Sequence, residues 1–329
     1  AQAGAASEST KRKPDCGIKQ VERTIMEIQN LSICCPSLTG CINNCKTCTA
    51  RQHDNPYKDK YDATRVECFE YWEDVKKRMI YAQRQGCQTI MLTGSNEPQQ
   101  NRRWLETLYH VMQSLPEKFV NIEMQTTGAL LDYDYIAYLK RFGVTTIAVS
   151  AFNIYDDKIN RDVEGNADKG LNLEALCGRI TSMGITLRLC LNVTDYISEN
   201  IKNVDIASTF NFRSEVIKLL DRCHKLGANQ VTFRKMWSAP GTPEAEWIAD
   251  NCKFDEYVID AVNKEVINHG TLICKLPYGA SRYDFRGFSI VVDTDSMAKD
   301  ENNLATKYYI IREDGKMYSS WDSKASIVF

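Results

Sequence analysis

The chain has 329 residues, 43% hydrophobic and 26% charged, a globular balance that excludes disorder, collagen and fibre. Forty-one lysines and arginines stand against 43 aspartates and glutamates, so the net charge of −2 lacks the positive excess on which nucleic-acid binding rests. No apolar run approaches the ~18 residues of a bilayer-spanning helix. The expectation is a cytoplasmic protein with no membrane attachment, acting on a small-molecule substrate, with nucleic acid the unexpected partner.

Residues 1–15 are small and polar and read as a disordered leader. From there one arrangement recurs: a polar-apolar helical stretch, a glycine, then a short β-branched run. It appears around Gly86, Gly143, Gly184, Gly227 and Gly270, where glycine suits the left-handed residue that ends a helix. Adding Leu31 to Cys35 as the opening strand predicts strands at 31–35, 87–92, 119–124, 144–149, 185–193 and 229–234. Alternating strand and helix calls for a parallel sheet covered by helices, here an α/β partial (β/α)6 barrel over 16–276. Functional residues then belong just after each strand. The stretch 194–212 reads as a loop. Residues 277–329 read as a small β extension, with strands from Phe285 onward and a two-residue hairpin at Asp314-Gly315.

Five of the thirteen cysteines crowd the short stretch 34–48. Such a count, odd and without an export signal, argues for a reducing compartment rather than a disulfide framework. Cys34 and Cys35 fall on the strand and read as core. Cys41, Cys45 and Cys48 form a CxxxCxxC spacing on a polar loop and can hold one metal centre. Three thiolates are one short of a structural zinc or an ordinary four-iron cluster, so either a fourth ligand exists or one position stays open. A Cys3His zinc site completed by His53 is the structural alternative.

With further motifs in order along the chain, the sequence resembles the radical S-adenosylmethionine (SAM) superfamily over about 31–234. Thr93-Gly94-Ser95-Asn96-Glu97-Pro98 is similar to that family's Gly-Gly-Glu-Pro element, with Ser95 and Asn96 at positions often held by glycine. Gln125-Thr126-Thr127-Gly128 resembles its turn after the third strand. The resemblance implies that Cys41, Cys45 and Cys48 bind a four-iron four-sulfur cluster whose unique iron is chelated by SAM. It implies reductive cleavage of SAM to a 5′-deoxyadenosyl radical that abstracts hydrogen from substrate, and a flavodoxin or ferredoxin as electron donor. The SAM contacts it implies are Gly94, Ser95, Asn96, Glu97, Thr126 and Ser150, with Arg188 on the carboxylate and Asn192 on a ribose hydroxyl. Thr47 stands where many relatives carry an adenine-packing aromatic.

Substrate contacts are expected on loops after the sixth strand. Arg234, Tyr278 and Arg282, with Lys235 and Arg286, are candidates to meet an anionic or nucleotide-like substrate, since guanidinium forks match carboxylate and phosphate. Only Cys252 and Cys274 lie beyond the sixth strand, and they are not closely spaced, so one cluster is expected. Two other readings remain: a non-catalytic iron-sulfur or zinc module, and a radical activase of a partner enzyme. No catalytic side chain is singled out.

Overall fold

A computed structural model of the chain describes residues 27–37, 39–52, 67–166, 171–197, 209–276, 279–294, 305–321, 323 and 325–329. The expected leader, His53 and Tyr278 lie outside them. The first half comprises β1 (Glu27–Cys34), α1 (Thr49–Gln52), α2 (Phe69–Arg84), β2 (Thr89–Thr93), α3 (Arg102–Gln113), β3 (Asn121–Thr126), α4 (Tyr133–Phe142), β4 (Thr146–Ala151) and α5 (Asp157–Glu164). Then follow α6 (Leu173–Ser182), β5 (Thr186–Val193), α7 (Thr209–Lys225), β6 (Gln230–Lys235), α8 (Pro243–Asn251) and α9 (Asp255–His269). The chain closes with β7 (Thr271–Lys275), β8 (Ser281–Phe285), β9 (Phe288–Asp293), β10 (Ala305–Ile311) and β11 (Met317–Tyr318).

The six expected strands are β1 to β6. They pair in parallel and in sequence order. The tail continues the same sheet at both edges, in the order β11-β10-β1-β2-β3-β4-β5-β6-β9-β8-β7. Because β10 lies parallel to β1 and β9 parallel to β6, eight parallel strands form a curved array. It is an open partial barrel, since β9 and β10 are not paired with each other among the described residues.

Each central strand puts apolar residues on one face and polar residues on the other, the period-2 pattern of a sheet. On β2, Ile90 and Leu92 are fully buried while Thr89, Met91 and Thr93 alternate with them. The apolar face packs on the helices: Ile90, Leu92, Met124, Leu189 and Phe233 share one cluster with Val75, Met79, Leu105, Ile136 and Leu176. Each such side chain contributes ~1.5–3 kcal/mol by leaving water. Side-chain caps set where helices begin: Asn101, Asp132, Asn172 and Thr242 each accept from a backbone N–H of the first turn.

Four readings need correction. Gly270 has φ −97°, not the left-handed helix end expected. It is needed for room, because a Cβ there would lie 2.6 Å from the Val266 carbonyl oxygen. The run from Phe285 is a hairpin rather than one strand, turning at Arg286 (φ 52°) and Gly287 (φ 89°). The Asp314-Gly315 turn spans three residues, since Arg312 N–H donates to the Lys316 carbonyl and Gly315 takes φ 79°. The stretch 194–212 is not all loop, as α7 already begins at Thr209.

Candidate active site

The cysteine loop leaves the end of β1 and is held by backbone on two sides. Asn44 N–H donates to the Glu164 carbonyl at 2.9 Å and Lys46 N–H to the Val163 carbonyl at 2.8 Å. At Gly165 (φ 60°) a Cβ would meet the Asn44 carbonyl oxygen at 2.6 Å, so this close approach requires glycine. Arg51, on α1, donates to the Asn44 side chain and the Cys45 carbonyl and pairs with Glu244 of α8 at 2.6 Å. Gln100 accepts from Ile42 N–H at 2.9 Å and donates to the Gly40 carbonyl at 2.9 Å. Burial raises the thiol pKa values of Cys41 and Cys45, so their thiolates depend on a bound cation for stabilisation.

Behind the loop, Glu97 joins three strand ends. Its Oε1 accepts from Asn43 Nδ2 at 2.8 Å and from Thr127 N–H at 2.9 Å. Its Oε2 accepts from Thr126 Oγ1 at 2.6 Å. Asn43, between Cys41 and Cys45, in turn accepts from Asn166 beyond α5 at 2.8 Å. Glu97 thus ties the cysteine loop to the loops after β2 and β3. Gly94 (φ 132°) brings the β2 loop onto β1, where a Cβ would lie 2.9 Å from Cys34 Cα.

The polar face of the array encloses a cavity of about 650 Å³. Closed (βα)8 barrels fill this space with branched apolar side chains. Here threonine, glutamine and charged residues line it and leave it open. Glu123 pairs with Arg188 at 2.5 Å, and Arg188 also donates to Gln230 at 2.8 Å. Arg282 donates to the Ser289 hydroxyl at 2.8 Å. The Arg234 Nε is buried with no acceptor among the described residues. Cys190 lines the wall between Arg188 and Arg234, and its thiol pKa is raised by burial.

Of the residues singled out from sequence, Cys41, Cys45, Cys48, Gly94, Ser95, Asn96, Glu97 and Thr126 gather at the ends of β1 to β3. Ser150 lies at the end of β4, in register with Cys190, and Asn192 is buried at the end of β5. Arg188 sits deeper in the cavity, engaged by Glu123 and Gln230. Arg234 and Arg282 line the cavity together. Lys235 and Arg286 do not join them: Lys235 pairs with Glu256 at 2.9 Å and Arg286 with Asp221 at 3.1 Å. Sequence reading missed Asn43, Arg51, Glu164 and Asn166. It also missed Gln100, although Glu97-x-x-Gln100 carries capping-box spacing and forms that box.

An iron-sulfur cluster and SAM fit these residues on one count: the Glu164 carboxyl is 1% exposed and neither oxygen has a partner among the described residues. Burial, then the charge of Glu97, pushes its pKa up to about 9. Its charge also reaches Cys45. An orphaned acid there suits a ligand that carries an ammonium and a sulfonium.

The crystal structure of Streptococcus suis SuiB bound to S-adenosylmethionine superposes with a TM-score of 0.52 and 13% identity, covering 88% of this chain and 60% of SuiB. SuiB bound to the precursor peptide SuiA matches with a TM-score of 0.50 and 14% identity, over 88% of this chain and 59% of that one. The chain therefore spans about 60% of SuiB's length, and these likenesses show a shared fold. Among curated proteins, none matches the sequence. A sequence model of the radical SAM superfamily matches residues 36–247. With the cysteine loop, the Glu97 knot and the partial barrel in place, the chain belongs to the radical SAM superfamily, whose cofactors are a four-iron four-sulfur cluster and SAM.

Proposed function

We propose that this protein is a radical SAM enzyme that acts on a small anionic molecule held inside its partial barrel. Cys41, Cys45 and Cys48 would ligate the cluster, and the loops after β2, β3 and β4 would receive SAM. When bound, that pair supplies one-electron cleavage of SAM and hydrogen abstraction by the 5′-deoxyadenosyl fragment. The chain's own part is to hold and orient. Asn43, Gln100 and Arg51 keep the cysteine loop in one shape, and Glu97 fixes the loop carrying Gly94 and Ser95 against it. The barrel wall shields the reacting centre from bulk water.

The observation that carries the substrate reading is the charge of the cavity. Four cationic side chains, Arg188, Arg234, Arg282 and Lys307, line it against two carboxylates, Glu123 and Asp293, within a chain whose net charge is −2. Arg188 and Lys307 are neutralised by ion pairs. Among the described residues Arg234 and Arg282 have no carboxylate on them, and their guanidinium forks match a carboxylate or phosphate. A volume near 650 Å³ lies within the range of small-molecule pockets. An external flavodoxin or ferredoxin would deliver the electron. Among the described residues no helix is long and apolar enough to cross a membrane.

The test is anaerobic reconstitution with iron and sulfide, followed by reduction and addition of SAM. The expected result is about four irons per chain, a paramagnetic signal altered by SAM, and release of 5′-deoxyadenosine. Tight binding of about one zinc with no deoxyadenosine would overturn the reading. Given a functional cluster, added phosphorylated or dicarboxylic metabolites should stimulate deoxyadenosine release, and amine or neutral compounds should not.

A further inference from the structure

Ser95 departs from the glycine common in the family's motif, and its hydroxyl has a specific use. Ser95 Oγ donates to Glu313 Oε1 at 2.6 Å, with both residues buried, at 6% and 2% exposed. The two are 218 positions apart, and Glu313 lies outside the 36–247 stretch that matches the family. The tail reaches the site because β10 runs parallel to β1, with Ile310 opposite Ser32 and Ile311 opposite Ile33. The chain leaving β10 therefore emerges beside Cys34 and Cys35, where the β2 loop also rests.

The turn that carries Glu313 is held tightly. The Arg312 guanidinium donates to the carbonyls of Ser320 at 3.1 Å and Trp321 at 2.9 Å and lies 4.6 Å over the Tyr318 ring. Gly315 packs so closely on Tyr71 that a Cβ would meet its ring at 2.7 Å. Tyr318 Oη and Lys316 N–H both donate to Asp314. Glu313 Oε2, by contrast, is buried with no partner among the described residues. A half-satisfied buried carboxylate costs stability, so folding alone does not account for an acid here.

We propose that Glu313 is a positioning residue for SAM: by accepting from Ser95, it fixes the backbone of the β2 loop where the methionyl end of SAM binds. The proposal rests on the reading of Gly94 to Glu97 as a SAM loop. It also explains Ser95 and the C-terminal hairpin together, as a brace added to the shared barrel.

The experiment uses the full chain, anaerobically reconstituted, and measures SAM affinity by equilibrium dialysis alongside iron content, melting temperature and the SAM-induced paramagnetic change. Glu313→Ala and Ser95→Ala should each weaken SAM binding about tenfold, the value of one charge-assisted hydrogen bond. The double variant should be no weaker than either single one. Glu313→Gln keeps an oxygen acceptor for Ser95 and should restore near wild-type affinity, with iron content constant throughout. Ser95→Ala removes only a hydroxyl and carries the test if Glu313→Ala does not fold. Wild-type SAM affinity in Ser95→Ala, or additive losses in the double variant, would overturn the role of Glu313 while leaving the SAM site intact. Failure of the wild-type protein to bind SAM would instead overturn the site reading, and this role with it.

Discussion

Lys307 and Asp293 form an ion pair at 3.3 Å, although they stand on β10 and β9, the two outermost of the eight parallel strands. Accumulated right-handed twist curls the array until its outermost parallel strands meet through side chains. The tail thus does two things at once: it lengthens the sheet at both ends and joins β9 to β10 with a charge pair at the cavity wall.

Breaking that seam should loosen the apo protein. Asp293→Ala removes this ion pair from Lys307 at the cavity wall, and Lys307→Ala removes it from Asp293. The pair is neither fully exposed nor fully buried, at 21% and 16% side-chain exposure, which puts the expected loss at about 1–2 kcal/mol. Urea unfolding of the two variants and of the charge-swapped pair checks it, with the swap recovering part of the loss.

Glu97 gives a second prediction. Its removal takes an acceptor from the Thr127 N–H, from the Thr126 hydroxyl and from Asn43 Nδ2, which keeps Thr127 Oγ1. Glu97→Ala should therefore lower iron retained after reconstitution and desalting several-fold while leaving the helical circular dichroism largely intact. Equal iron in Glu97→Ala and wild type would mean that the cysteine loop does not depend on this knot.

Arg234 tests the cavity charge. Once a substrate is in hand, Arg234→Ala should raise its half-saturating concentration by one to two orders of magnitude, with Arg234→Lys intermediate because it keeps the charge but loses the fork. Arg286→Ala, on an exposed turn paired with Asp221, is the comparison variant and should leave that concentration where it was.

Much of the fold was legible because it depends on local pattern. Glycine-ended helices and β-branched runs located β1 to β6 within a few residues, and the CxxxCxxC spacing marked the cysteine loop. What stayed hidden depends on curvature and on loops meeting. No spacing rule pairs Ser95 with Glu313 or Lys307 with Asp293, since both contacts exist only because β10 returns to lie beside β1. Arg188 illustrates the same limit: strand alternation groups it on one face with Cys190 and Asn192, but its engagement by Glu123 and Gln230 follows from inter-strand register.

Glu164 makes the apo protein's stability depend on pH. Its pKa lies near 9 in the fold against an ordinary 4.5, so folding takes up a proton. The sign is therefore fixed: this contribution is fully present below about 4.5 and is lost as the pH rises toward 9. Stability of the metal-free protein should fall through that window, and Glu164→Gln should flatten the slope. Chemical denaturation at pH 5, 7 and 9 measures it; a slope unchanged by the substitution would assign the dependence to other groups.

The division of each strand into an apolar helix-facing side and a polar cavity-facing side separates two kinds of work. Cohesion of the domain resides in Ile90, Leu92, Met124, Leu189 and Phe233, none of which lines the cavity. The inner wall is therefore open to change. Substitutions at Gln125, Thr232 or Ser289 can alter what the chamber accepts without drawing on the contacts that keep the protein folded, so a new specificity can arise here in single steps.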